Sequence, residues 1–94
     1  MCIRDRVNRV VPDDELASAA FELAAKLAAG PRRAIELIKD NLDDAMRLDF
    51  LEALDGEAAR MVAHSGSAET REAIRAFVER RRPDFSGIRH NAGA

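Results

Sequence analysis

The apolar residues fall into four groups at helical spacing, parted by short polar or Gly/Pro breaks. Leu16, Ala20, Leu23 and Leu27 recur every three or four positions, the spacing that brings side chains to one face of an α-helix. Asp13, Asp14 and Glu15 precede them, where carboxylates meet unpaired N–H groups and the positive end of the helix dipole. Gly30 is placed to end this helix in a left-handed cap. Pro31 suits the first turn of a second helix, whose stripe is Ala34, Ile35, Ile38, Leu42, Ala45 and Met46, with Asp and Arg side chains opposite. Asp49 reads as the next N-cap, and Glu52, three residues on, as its capping-box partner. The third helix then carries Leu51, Leu54, Ala58, Met61 and Val62, and fades at Ala63-His64-Ser65-Gly66. Ser67 caps a fourth helix with Ile74, Phe77 and Val78 on its buried side, and Pro83 stops it.

Ahead of the helices, Val7-Asn8-Arg9-Val10-Val11 is a β-branched run closed by Pro12. It reads as a strand, because Val suits a pleated surface and Pro cannot extend the ladder. A single strand has no partner for its backbone hydrogen bonds, so its mate is expected upstream, in a body outside this chain. The predicted fold class is therefore all-α, about four helices after one short N-terminal strand.

Composition changes this picture modestly. The chain has 94 residues, 47% apolar but only 4% aromatic, with no Trp or Tyr. Much of the apolar content is alanine, which favours helix but brings little area to a core. With 15 basic against 17 acidic residues and a net charge of -2, nothing general favours nucleic acid or an anionic membrane. No apolar run approaches the roughly 20 residues of a membrane span. The single cysteine, Cys2, forms no internal disulfide, and the start lacks a secretory signal. A cytoplasmic protein is expected.

The candidate chemistry is sparse. His64 and His90 stand 26 positions apart with no third ligand beside them, so no metal site is expected. Asp13-Asp14-Glu15, Asp43-Asp44 and Glu69 with Glu72 resemble paired catalytic carboxylates. Their places at helix starts or on polar faces account for them without chemistry. Ser65-Gly66-Ser67 reads as a turn, and Arg80-Arg81-Arg82 as a solvated run complementing a helix C-terminus.

Three segments in order carry a resemblance. Val7-Asn8-Arg9-Val10-Val11-Pro12, then Ala28-Ala29-Gly30-Pro31 with Ala34, then Thr70 to Arg81 continuing to Pro83 and Phe85, resemble the C-terminal part of the enoyl-CoA hydratase/isomerase (crotonase) family. The first is similar to the family's Val-Asn-x-Val-Val-Pro strand. The second is similar to its small-residue-Pro helix break, and the third to its Arg-Glu-Gly-x-x-Ala-Phe-x-Glu-Lys-Arg-x-Pro-x-Phe ending. Ala73 stands where the family has glycine, and Asp5-Arg6 where Gly-Leu is frequent. Residues 1–6 match nothing in the family and read as an artefactual leader. Residues 7–12 would be the terminal strand of the missing core, 13–87 the helical region, and 88–94 a flexible tail.

The resemblance implies the C-terminal helical region of a crotonase-like ββα-spiral fold, used for trimer contacts and for covering the acyl-CoA site. It implies no catalytic residue in this segment, no cofactor, and an acyl-CoA thioester as the substrate of the intact enzyme. Its partners would be the N-terminal core and neighbouring subunits of a homotrimer or dimer of trimers. The family's CoA-holding lysine falls on Arg80, which keeps the charge, so Arg80 is the expected CoA-binding residue. The companion phenylalanine falls on Ser65, which cannot stack on adenine. The rival expectation is an independent four-helix interaction module whose four stripes seal one another.

Overall fold

Pro12 sets the start of the helical part. Its carbonyl accepts the Glu15 N–H at 2.9 Å, closing a 3-10 turn over Asp13–Glu15 that runs into α1, Leu16–Ala28. In the computed structural model of the chain, residues 6–88 are described. Beyond α1 come α2 (Arg32–Arg47), α3 (Phe50–Ser65) and α4 (Ala68–Glu79). Two caps form as their side chains dictate. The Asp49 carboxylate accepts the Glu52 N–H at 2.8 Å, and the Ser67 hydroxyl accepts the Thr70 N–H at 3.1 Å, each satisfying a first-turn donor that has no helical partner.

The break between α1 and α2 differs from expectation. Gly30 is not in the left-handed region; α1 closes with right-handed backbone through Ala29, whose N–H bonds Ala25 at 3.0 Å. The glycine is needed for room instead. A Cβ there would sit 3.2 Å from the Leu27 carbonyl oxygen and 3.3 Å from Cδ1 of Ile35. Pro31 lies one position before the first turn of α2, as its N-cap.

The left-handed cap occurs at the far end of the molecule. Arg80 has φ 55° and ψ 43°. The Arg81 N–H bonds the Ala76 carbonyl at 3.0 Å and the Arg80 N–H bonds Phe77 at 3.2 Å, the paired closure of a Schellman motif. α4 thus ends at Glu79 through its own hydrogen bonds, before Pro83 can act.

The predicted N-terminal strand is absent: among the described residues there is no strand. Val7–Val11 has the side chains of a strand but no neighbouring strand to exchange N–H and C=O bonds with, and composition cannot replace that partner. The segment instead borders a groove of about 550 Å³ shared with Leu16, Ala20 and Leu23 of α1.

α2 and α3 make the most extensive helix–helix contact, and its centre is polar. Arg60 on α3 reaches Asp44 at 2.6 Å and Asn41 at 2.8 Å on α2. Gly56 lies close against this ion pair; a Cβ there would be 3.5 Å from Asp44 Oδ2. Asp44 was expected on the polar face; it is buried, and Arg47 pairs with its other oxygen at 2.9 Å.

The apolar stripes of all four helices remain open. Ala76 is the buried apolar residue among the described residues, at 1% exposure, whereas Phe21, Met46 and Phe77 are 76%, 87% and 84% exposed. The radius of gyration is 16.7 Å, against about 12 Å for a compact domain of this length. The accessible surface is 8383 Å², against about 5,400 Å² for a folded monomer of this mass. A closed four-helix bundle, in which the stripes seal one another, is therefore not the structure of this chain.

Candidate functional site

The end of α4 concentrates charge on a short stretch. Within the basic triplet, Arg81 is turned back along its own helix. Its guanidinium donates to the two oxygens of Glu72 at 2.6 and 3.2 Å and also pairs with Glu79. The same Glu72 accepts the backbone N–H of Asp84 at 2.9 Å, drawing the segment after the helix toward α4. Asp84 in turn accepts the Ser86 N–H at 3.0 Å and hydroxyl at 2.6 Å. Four charged residues, Glu72, Glu79, Arg81 and Asp84, and one turn are thereby tied together at one end of α4.

The electrostatics follow from these bonds. The Arg81 guanidinium, and then the Asp84 N–H, hold the Glu72 carboxyl down to about 2 from an ordinary 4.5. Arg81 is raised in return, first by Glu72 and then by Glu79. The Ser86 hydroxyl, followed by its N–H, lowers Asp84.

Arg80, the residue singled out from sequence, is exposed at the left-handed position. Among the described residues no carboxylate forms an ion pair with it. A guanidinium without an internal carboxylate can take an oxyanion such as phosphate through paired N–H donors. Ser65 lies at the last position of α3, its hydroxyl donating to its own helix at Val62 O, 2.7 Å away. It offers neither a ring nor an outward hydroxyl, and it makes no hydrogen bond to Arg80.

Two acidic residues that the sequence placed on polar faces prove to be anchors. Glu69, 2% exposed, receives the backbone N–H of Arg33 at 2.8 Å and of Ala34 at 3.0 Å, across 36 and 35 positions of chain. It thus caps a helix to which it does not belong, and its Oε2 stands 3.5 Å from Nε2 of His64. No local pattern reveals such a cap, since the partners are far apart in sequence. Glu72 carried a faint signal, a carboxylate on the same helix as a basic end.

A second hollow, about 350 Å³, lies between the α1–α2 break and the segment after α4, bordered by Ala28, Gly30, Arg32, Pro83, Phe85 and Ile88. Among the described residues no group of three or more His, Cys, Asp or Glu side chains is placed to hold a metal ion. No described helix is long and apolar enough to cross a membrane. His90 and Cys2 lie outside the described residues.

The geometry defines an all-helical polypeptide whose buried positions are small or charged and whose apolar faces are open. The sequence matches the model of one family, described as enoyl-CoA hydratase/isomerase, over residues 6–89, and the chain belongs to that family. It is 35% identical over 79 residues to the 1,2-epoxyphenylacetyl-CoA isomerase of Escherichia coli (strain K12), covering 84% of this chain and 30% of that protein. It is 29% identical over 79 residues to a probable mitochondrial enoyl-CoA hydratase of Dictyostelium discoideum, covering 84% of this chain and 28% of the relative. The chain thus spans less than a third of the length of these curated relatives. No solved structure matches it significantly.

Proposed function

We propose that this chain serves as the C-terminal helical segment of an acyl-CoA-processing enzyme, covering the CoA site and supplying contacts between subunits. The open apolar faces of all four helices carry this reading. A fully buried Leu, Ile or Phe contributes roughly 1.5–3 kcal/mol, and little of that is realised within the chain. Its N-terminal core and neighbouring subunits of a homotrimer, or dimer of trimers, would complete those faces. Hydration or isomerisation of an enoyl-CoA thioester is the parent reaction we favour, because the relatives carry the names of an isomerase and a hydratase.

The division of labour follows from the chemistry. Stabilising an enolate-like thioester oxygen needs backbone N–H groups aimed at it in a water-poor site, and proton transfer needs a positioned acid or base. The least exposed carboxylates, Asp44, Glu69 and Glu72, are engaged by arginine or backbone N–H groups. Catalysis is thus assigned to the core, while Arg80 would meet the anionic end of CoA.

Three measurements test this. The purified chain should not hydrate a short enoyl-CoA, and its far-UV thermal transition should be broad. A chimera carrying residues 7–87 in place of the matching C-terminal part of the Escherichia coli relative should assemble and turn over its thioester substrate. Turnover by the chain alone, or a sharp transition of a monomer at low micromolar concentration, would defeat the proposal. The second outcome would restore the independent interaction module.

A further inference from the structure

We propose that Glu72 is the positioning residue of the α4 terminus: it sequesters Arg81 and fixes the turn, so that the basic triplet presents Arg80 and Arg82, but not Arg81, to an external anion. Spacing and charge alone offer three adjacent arginines with no difference in their partners. The structure separates them. Glu72 lies two helical turns before Arg81, and a bidentate pair over nine positions, with bonds of 2.6 and 3.2 Å, needs the chain to reverse just after Glu79. The left-handed Arg80 makes that reversal.

The Asp84 N–H, 2.9 Å from the same carboxylate, closes the turn from the other side. The Arg82 carbonyl also accepts from Arg81 Nη1 at 3.1 Å, so Arg81 lies within the loop that Glu72 gathers. Glu72 is half-buried in the middle of α4, and four donors converge on it when the more distant Arg75, at 3.9 Å, is counted. A bidentate arginine–carboxylate pair fixes direction as well as distance, and Arg81 is thereby occupied at both ends of its fork. Neither Arg80 nor Arg82 has an ion-pair partner among the described residues.

The inference rests on the CoA-facing reading of Arg80 only for the nature of the anion. The selection among the three arginines stands on the hydrogen bonds themselves.

The test uses the complete 94-residue chain, isotope-labelled, with inorganic pyrophosphate as the anion and the arginine Nε–Hε resonances as the readout. In the native chain pyrophosphate should shift Arg80 and Arg82 and leave Arg81 in place. In Glu72→Ala, Arg81 keeps only the Glu79 carboxylate on Nε and should gain a response through its freed Nη groups, and exchange of the Asp84 amide should quicken by about tenfold or more, as a lost buried-side partner implies. Glu72→Gln keeps an acceptor without the charge and should restore part of the Asp84 protection but little of the Arg81 selectivity. Amides in the first two turns of α4 report whether either variant still folds the helix.

A native chain in which pyrophosphate moves Arg81 as readily as its neighbours overturns the inference. So does a Glu72→Ala chain with Arg81 and Asp84 unchanged. If pyrophosphate moves none of the three in the native chain while Glu72→Ala frees Arg81 and Asp84, the turn is upheld and the anion-facing reading of Arg80 fails.

Discussion

At Arg80 the backbone adopts a conformation that an L side chain enters at a cost of roughly 1–2 kcal/mol and that glycine enters freely. Arg80→Gly should therefore stabilise the end of α4 by about 1 kcal/mol, read as slower exchange of the Arg81 amide, while removing the anion response at that position. Eight residues earlier in the chain, Glu72 makes the same turn pH-dependent. Its carboxyl lies at about 2 in the folded chain and near 4.5 when free of its partners. The stabilisation is thus complete above 4.5 and is lost as pH falls through about 2, because the unfolded chain binds the proton first. A titration following the protection factor of the Asp84 amide, corrected for intrinsic exchange, should find it high at pH 4 and falling as pH drops through about 2.

The four elements differ in how far local sequence determines them. Asp49 and Ser67 were legible as caps because a capping bond joins residues three apart. Replacing either by alanine should cost about 1 kcal/mol of helix stability, measurable as lost ellipticity and faster exchange of the Glu52 or Thr70 amide. The ends that were misread are those set by something other than the expected residue type. Gly30 signalled a left-handed turn but is retained for clearance against Ile35. Pro83 signalled a stop, yet the Arg80 and Arg81 amides had already closed the helix. Val7–Val11 had the composition of a strand, and a strand exists only where a second one receives its hydrogen bonds. Arg80 was legible through the family resemblance; its separation from Arg81 had no local signal, because Glu72 holds Arg81 through folded geometry.

For the molecule as a whole, the main consequence of the open stripes is that apolar substitutions behave as surface changes. Phe77→Ser and Met46→Ser should each alter the stability of the chain by less than about 0.5 kcal/mol, whereas emptying a packed aromatic site costs about 3–5 kcal/mol. Helical ellipticity, expected to stay the same in both variants, checks the first value, and binding of a hydrophobic dye should fall in both. The tie through Glu69 has the opposite character. It is a long-range stitch, fastening the opening turn of α4 to that of α2 across the whole α2–α3 hairpin. A product shortened at Ser67 would therefore lose more than the 12 residues of α4: α2, left without its anionic lid, would unwind from its beginning. Its helical signal should drop by visibly more than the deleted segment accounts for.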